Sequence, residues 1–324
     1  MDKYKKCKLF QGKLLKDGQY EIISELGLGA FSTVYLAKMN QLVPYRHKLK
    51  DTEPTNVAIK IIKKKYTIFA YDEIKILQCL KDTEYIIKMY DNFTDNNLCI
   101  VTEVVNSDLL KLIHSYKYES VPIDIIKIIT IQILKGLEYI NSCNIIHCDI
   151  KPENILIGLT KEEIDNSSLD RINKCKIKIC DFGNSCFANN IYLEQIQTRQ
   201  YRSYEVIIGY PYNFNVDIWS LACVIFELLT GDYLFEVYDD NHIDDCNHIH
   251  YITELIGQEN MPILNSTANA FYKDGKNKIK QWSLQAVLSE KYNINIKETE
   301  LLMKMLNPNP NLRINATECL AILT

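Results

Sequence analysis

The sequence predicts an α+β fold in two lobes, a small antiparallel-sheet lobe with one helix and a larger, mainly helical lobe. Three observations lead there. The first third carries short apolar or alternating runs at residues 20–26, 33–37, 57–63 and 98–104, with turn residues between them. Beyond about residue 105 the apolar period becomes helical, at residues 124–141, 217–230, 248–255 and 298–306, with short polar loops between. At 324 residues and 47% hydrophobic, the chain can bury a substantial core in one large or two smaller units. The change of character divides the chain into residues 1–104 and 105–324, with a cleft expected between the lobes.

Each element has its own signal. Residues 39–56 are polar, contain two prolines and break the strand pattern, so they read as an extended hairpin loop. Residues 72–81 show helical spacing, with Ile74, Leu77 and Leu80 on one stripe. The most apolar stretches, residues 121–140 and 217–229, carry Lys127, Lys135, Glu138 or Glu227 and read as buried helices rather than membrane spans. No internal repeat, heptad pattern or long low-complexity tail is present.

A formal charge of −4 gives no global pull toward nucleic acid or an anionic membrane. The 11 cysteines are odd in number, irregularly spaced and often inside apolar runs, as at Cys99, Cys180 and Cys223. With no CxxC pair, and with residues 1–6 lacking the apolar core of a secretory signal, they read as free thiols of a reducing cytoplasm or nucleus.

Four motifs carry chemistry. Leu26, Gly27, Leu28, Gly29, Ala30, Phe31, Ser32, Thr33 and Val34 form a glycine loop between two strand-like runs, where the backbone can approach a phosphate. A following strand excludes the dinucleotide-binding alternative, which needs a helix there. Val57-Ala58-Ile59-Lys60 puts a lysine in an apolar strand, where it needs an anion, and Glu73 on the next helix can serve. His147-Cys148-Asp149-Ile150-Lys151-Pro152-Glu153-Asn154 supplies a carboxylate, a cation and an amide oxygen within a few residues. Phosphoryl transfer to a hydroxyl needs those three: a proton acceptor, charge neutralisation and a metal ligand. Asp181-Phe182-Gly183 adds a second oxygen ligand, and such a pair suits Mg²⁺.

In this order and spacing the motifs resemble the catalytic domain of protein kinases, over about residues 20–324. The resemblance implies ATP and Mg²⁺ as cofactors. It makes Asp149 the base, Lys151 the γ-phosphate neutraliser, Asn154 and Asp181 the metal ligands, and Lys60–Glu73 an ion pair. It also makes Thr102 the gatekeeper and Glu103 to Val105 the adenine-binding hinge, with Val34, Ala58 and Leu156 against the ring. Asp217 falls on the buried helix that anchors the catalytic loop, and Arg313 is placed to pair with Glu205. Leu77, His147 and Phe182 resemble packing members of a hydrophobic spine. Ser32 replaces the third glycine of the loop, and Tyr204 stands where the family has a proline before Glu205. Cys180, just before Asp181, is read either as an ATP-site thiol or as an inert buried one.

Asp181-Phe182-Gly183-Asn184-Ser185-Cys186, Gln197-Thr198-Arg199-Gln200-Tyr201-Arg202-Ser203 and Gly231-Asp232-Tyr233-Leu234-Phe235 resemble the kinases of serine/arginine-rich splicing factors. That family often carries a long insert before its DFG motif, but here residues 158–174 are only a short polar stretch. Thr198 resembles the residue bridging Asp149 and Lys151 in serine/threonine kinases. Cys148 replaces the arginine that binds an activation-loop phosphate in many kinases, so activity without such phosphorylation is expected. Glu236, Asp239, Asp240, Asp244 and Asp245 form an acidic segment that reads as a docking surface for arginine-rich substrate or as a solvated rim. The resemblance implies arginine/serine-rich protein partners, no direct nucleic-acid or membrane contact, and a monomer. Two alternatives stand beside it. One is a dual-specificity, tyrosine-autophosphorylating kinase, which Tyr201 would suit. The other is a pseudokinase scaffold, opposed by intact Lys60, Asp149, Asn154 and Asp181.

Overall fold

The computed structural model describes residues 11–40, 55–81, 83–165, 169–190, 195–237, 242–262, 268, 282–294 and 296–324. The described residues form two compact units, one drawn from Met1–Asp82 and Ile86–Val105, the other from Thr83–Tyr85 and Asn106–Thr324. The main boundary falls one residue from the position read in the sequence. The transfer of residues 83–85 to the second unit had no sequence signal.

The first unit is a six-stranded sheet in the order β1-β2-β3-β4-β6-β5. Its strands are β1 (Leu14–Leu15), β2 (Tyr20–Leu28), β3 (Ser32–Met39), β4 (Asn56–Ile62), β5 (Met89–Asp95) and β6 (Asn97–Thr102), all paired antiparallel. Alternation puts Leu15, Tyr20, Ile22, Ala37, Val57, Ile59, Cys99 and Val101 into one core. Helix α1 (Thr67–Cys79) begins five residues before the predicted stripe and buries Ala70, Glu73, Ile74, Ile76 and Leu77. Edge strand β5 went unread because its sequence, Met-Tyr-Asp-Asn-Phe-Thr-Asp, has no fully buried position. The predicted hairpin loop at residues 39–56 lies mostly outside the described residues.

The second unit is mainly helical, and among the described residues no helix is long and apolar enough to cross a membrane. Strand β7 (Ser107–Asp108) leads into α2 (Leu109–Ser115), capped by the Asp108 side chain. Helix α3 (Ile123–Ser142) buries Ile125, Ile126, Ile129, Ile133, Leu134, Leu137 and Ile140 at helical spacing. Strand β8 (Ile145–Ile146) follows, then the hairpin of β9 (Ile155–Ile157) and β10 (Ile177–Ile179). A Cβ on Gly136 would lie 2.9 Å from Ile179 Cδ1, so glycine permits the close approach of β10 to α3. The stretch between β9 and β10 contains two short helices, Lys161–Asp165 and Leu169–Lys174, whose Ile164 and Ile172 are buried. The sequence reading had it as a polar stretch alone. Strand β11 (Cys186–Phe187) pairs with β8.

Helix α4 (Tyr204–Ile207) precedes α5 (Val216–Thr230), every residue of which is buried. Gly231 ends α5 at φ 78°, and a Cβ there would fall 1.8 Å from the Tyr118 carbonyl oxygen. Helices α6 (His242–Ile256), α7 (Leu284–Tyr292), α8 (Ile296–Met305) and α9 (Ala316–Leu323) complete the unit. Helix α9 is stopped at its start by a reciprocal Asn315–Glu318 capping box.

The pairing expected of Arg313 is present in a fully buried form. Its Nη1 and Nη2 each donate to a Glu205 carboxylate oxygen at 2.7 Å, and its guanidinium sits 4.9 Å from the Trp219 ring centre. Removing one partner leaves an uncompensated buried charge. Arg313→Ala is therefore expected to lower the unfolding free energy by about 3–5 kcal/mol in urea denaturation. The double substitution Glu205→Leu/Arg313→Met should lose less than the sum of the singles.

Candidate active site

The centre of the second unit is a loop held open by a buried carboxylate. Asp217, in the first turn of α5, is fully buried; its Oδ2 accepts from the His147 N–H at 2.8 Å and its Oδ1 from the Cys148 N–H at 2.9 Å. Burial pushes this carboxyl upward against the pull of His147 and of the two N–H donors. The paired bonds hold Cys148 at φ 66°, a left-handed conformation costly for a side-chain-bearing residue. That turn delivers the next residue, Asp149, to the loop face.

Asp149 is itself buried and held from several sides. Its Oδ1 accepts from the Thr198 hydroxyl at 2.7 Å and the Thr198 N–H at 3.1 Å. Its Oδ2 lies 3.1 Å from Lys151 Nζ and accepts from the Asn154 and Asn184 amides, each at 3.3 Å. Lys151 also donates to the Thr198 hydroxyl at 2.8 Å, so Thr198 bridges the two charged groups. A carboxylate held this way can orient a hydroxyl and take its proton, with a cation alongside.

His147 plays a different part. Its Nδ1 accepts from the Asp149 N–H at 3.2 Å, which leaves Nε2 protonated to donate to the Cys180 carbonyl at 3.0 Å. Its ring meets Phe182 edge-on at 4.9 Å, and both side chains are buried. This is packing and positioning, not proton transfer. Leu77 is buried in the first unit. Cys180 is half-buried, and its N–H donates to the Asn154 carbonyl.

Asn154 donates its amide N–H groups to Asp149, at 2.8 Å to the carbonyl and 3.3 Å to Oδ2, which turns its amide oxygen away from those contacts. Asp181 is exposed and stands at φ 61°. Two hard oxygen donors of this kind fit Mg²⁺ shared with phosphates. Among the described residues no cluster of three or more His, Cys, Asp or Glu side chains could cage a metal alone.

In the first unit, Lys60 Nζ donates to Glu73 Oε1 at 2.6 Å, and both side chains are largely buried. Gly27 and Gly29 have no left-handed φ, and a Cβ on Gly27 would meet nothing within 4 Å. Packing within the chain therefore gives Gly27 no reason to lack a side chain, whereas close approach of a phosphate does. Lys63 Nζ ties the loop down by donating to the Gly29 and Ala30 carbonyls, each at 2.8 Å. Leu26, Leu28 and Phe31 are exposed, Ser32 is buried, and Thr33 and Val34 are half-buried. Ala58 pairs with Thr102 across β4 and β6. The Glu103 N–H is used by the Lys88 carbonyl, while the Val105 N–H makes no hydrogen bond among the described residues. Leu156 lies half-buried on β9 of the second unit.

Around Thr198 the segment after Asp181 is held in large part through the Gln197 amide. Gln197 Nε2 donates to the Val216 carbonyl at 2.9 Å and the Ser220 hydroxyl at 2.8 Å, and its Oε1 accepts the Ser203 N–H at 3.0 Å. Its backbone N–H donates to the Cys148 carbonyl at 2.9 Å, and Arg202 braces the Ile196 and Gln197 carbonyls. Gln197 and Asn184 were not singled out as functional from the sequence. Their only signal was membership in the strings that carry the family resemblance.

The acidic segment is divided. Glu236 is exposed; Asp245 is paired with Arg199; Asp239, Asp240 and the Asp244 side chain lie outside the described residues. Tyr201 is buried, and its hydroxyl donates to Glu227 at 2.6 Å, so it does not present the free acceptor hydroxyl that the dual-specificity alternative would use. Tyr204, in place of the usual proline, is fully buried and donates to the Pro262 carbonyl at 3.1 Å.

The family model described as "Protein kinase domain" matches residues 20–322. "Serine/threonine-protein kinase SRPK" of Physarum polycephalum is 31% identical, over 93% of this chain and 84% of that protein. Dual specificity tyrosine-phosphorylation-regulated kinase 3 of Rattus norvegicus is 32% identical, over 78% of this chain and 40% of that protein. A crystal structure of a kinase domain superposes with TM-score 0.78 at 24% identity, covering 97% of each chain.

With Gln197 ordering the segment, phosphatase treatment of the purified chain should change kcat by less than about twofold, whereas Gln197→Ala should lower it by about tenfold, or about 1.4 kcal/mol. A large gain in rate after treatment with an upstream kinase would contradict this account.

Proposed function

Because this chain belongs to the protein kinase family and is an ATP-dependent serine/threonine kinase of the CMGC type, we propose that it phosphorylates serine in arginine/serine-rich proteins such as splicing factors. The observation that carries the reading is the Asp149–Lys151–Thr198 constellation, and a separate acidic and aromatic cavity in the same unit supports the substrate class. ATP would supply the transferred γ-phosphoryl group, and Asn154 and Asp181 would hold Mg²⁺, which would offset its charge. Asp149 orients the substrate hydroxyl and accepts its proton as the new O–P bond forms. Lys151 stands against the negative charge of the transferring group, and Thr198 fixes the distance between the two. Lys60, held by Glu73, serves the α- and β-phosphates, and the thinned backbone at Gly27 and Gly29 admits them. The Glu103 carbonyl and Val105 N–H serve adenine beside Thr102, Val34 and Ala58.

The substrate reading draws on the motif resemblance and on the cavity of about 790 Å³ in the second unit. Glu227, Asp232 and Glu236 line it together with Tyr233, Trp282 and Tyr292, and Lys291 and His114 also face it, so three carboxylates and aromatic faces share one pocket with a single lysine. Glu227 has no ion-pair partner among the described residues, and burial pushes its carboxyl up to about 7. An arginine side chain of the substrate supplies the missing cation. Asp245 contributes less to docking than the sequence suggests, because Arg199 already occupies it. The chain is proposed to act as a monomer in the cytoplasm or nucleus, in keeping with the free thiols of its described cysteines.

Incubation with MgATP and two peptides, one of Arg-Ser repeats and one with Lys for every Arg, tests the substrate assignment against an Asp149→Asn control. Phosphate on the Arg-Ser peptide alone, lost in the control, is the expected result. Equal labelling of both peptides would remove the arginine preference, and ATP binding without labelling would favour the scaffold alternative.

A second prediction follows from Glu227. Its raised value means that the native state is favoured by the neutral acid and loses that contribution as pH rises through about 7. The anion that attracts arginine accumulates over the same range. The KM for the Arg-Ser peptide should therefore fall between pH 6 and pH 8 by about threefold to tenfold, and Glu227→Gln should abolish that slope.

A further inference from the structure

Two cysteines meet in the core behind the catalytic loop. Strands β8 and β11 pair Ile146 with Cys186, and Cys148 stands two residues beyond Ile146, past the end of β8. The two Sγ atoms are 3.8 Å apart, and Cys148 and Cys186 are 0% and 1% exposed. A disulfide needs about 2.0 Å between sulfurs, so closing the bond requires the two sulfurs to approach by a little under about 2 Å. Cys186 Sγ also lies 3.9 Å from the Tyr212 hydroxyl, within a pocket of Ile146, Ile196, Val206 and Val216.

Both cysteines sit where movement matters. Cys148 adjoins Asp149, donates its N–H to Asp217 and accepts from the Gln197 N–H through its carbonyl. Cys186 follows Ser185, whose hydroxyl donates to the His147 carbonyl at 2.8 Å. Drawing the sulfurs together pulls on the loop that carries Asp149 and on the segment that carries Thr198, the two ends of the constellation described above.

We propose that Cys148 and Cys186 are a peroxide-responsive pair, forming a reversible disulfide that switches phosphoryl transfer off. The S–H of Cys148 and the O–H of Tyr212 are both placed to donate toward the Cys186 sulfur, which favours its thiolate as the attacking group. That sulfur attacks one oxygen of hydrogen peroxide; an S–O bond forms, the O–O bond breaks and hydroxide leaves. The Cys148 sulfur then attacks the sulfenic sulfur; the S–S bond forms, the S–O bond breaks, and the departing oxygen takes the Cys148 proton. Two thiols and one peroxide give one disulfide and two waters, a two-electron oxidation. A small dithiol reverses it by thiol–disulfide exchange.

The test uses the full chain, reduced, desalted, exposed to hydrogen peroxide, trapped with N-ethylmaleimide and digested for mass spectrometry. The expected result is a cross-linked peptide pair joining Cys148 to Cys186, with a loss of Arg-Ser peptide phosphorylation of about tenfold that dithiothreitol restores. Cys186→Ala and Cys186→Ser should form no such pair and keep their rate under peroxide. Absence of the cross-link at a dose that fully oxidises exposed Cys79 would overturn the proposal. So would a cross-link with no change in rate, or equal peroxide sensitivity in the Cys186 variants. Should either variant prove misfolded by near-ultraviolet circular dichroism, the mass result on the unaltered chain decides. The rate measurement rests on the kinase reading and the mass measurement does not, so failure of one is distinguishable from failure of the other.

Discussion

The structure of the second unit depends on one carboxylate. Asp217 brings a charge into a fully buried position, which is costly, and offsets that cost with two backbone N–H donors and its place in the first turn of a helix. In return it holds Cys148 in a backbone conformation that the residue would not otherwise adopt. Asp149, Lys151 and Asn154 inherit their positions from that turn. Helix α5, buried along its whole length, makes the anchor rigid because every side chain around it is packed.

The same anchor orders the segment that follows Asp181. Gln197 joins the Cys148 carbonyl on one side to Val216, Ser220 and Ser203 on the other, so the segment hangs from α5 through neutral hydrogen bonds. A phosphate bound by arginine would do this work with charge; here Cys148 stands in the arginine's place and an amide does it. Neutral bonds need no modification to form. They also place Thr198 within reach of Asp149 and Lys151.

The buried side-chain carboxylates other than Asp217 fall into two groups by what answers them. Glu205 has Arg313, Glu73 has Lys60, and Asp149 has Lys151, each within hydrogen-bonding or ion-pair distance. Glu227 has only the Tyr201 hydroxyl. A buried acid satisfied by one neutral donor shifts toward its protonated form, and a cationic ligand is the group that would restore its charge. The first group is answered by cations within the chain, and Glu227 is answered by a neutral hydroxyl alone.

Much of this was legible before any coordinates. The catalytic run from His147 to Asn154, the glycine loop, Lys60 with Glu73, and the pairing of Glu205 with Arg313 could be read because residue type and order constrain their chemistry. Strands and helices with a clear apolar period were placed within a few residues of their observed ends. Elements not read include edge strand β5, with no fully buried position, the two short helices between β9 and β10, each held by a single buried isoleucine, and helices α2, α7 and α9, each of fewer than ten residues. The contact of Cys148 with Cys186, the bond from Asn184 to Asp149, and that from Tyr201 to Glu227 join residues 38, 35 and 26 positions apart. Sequence order by itself determined which chemical groups the chain owns and the local turns that present them. Tertiary structure alone decided which of those groups meet, because hydrogen bonds and sulfur contacts act over a few ångströms in space, whatever the distance along the chain.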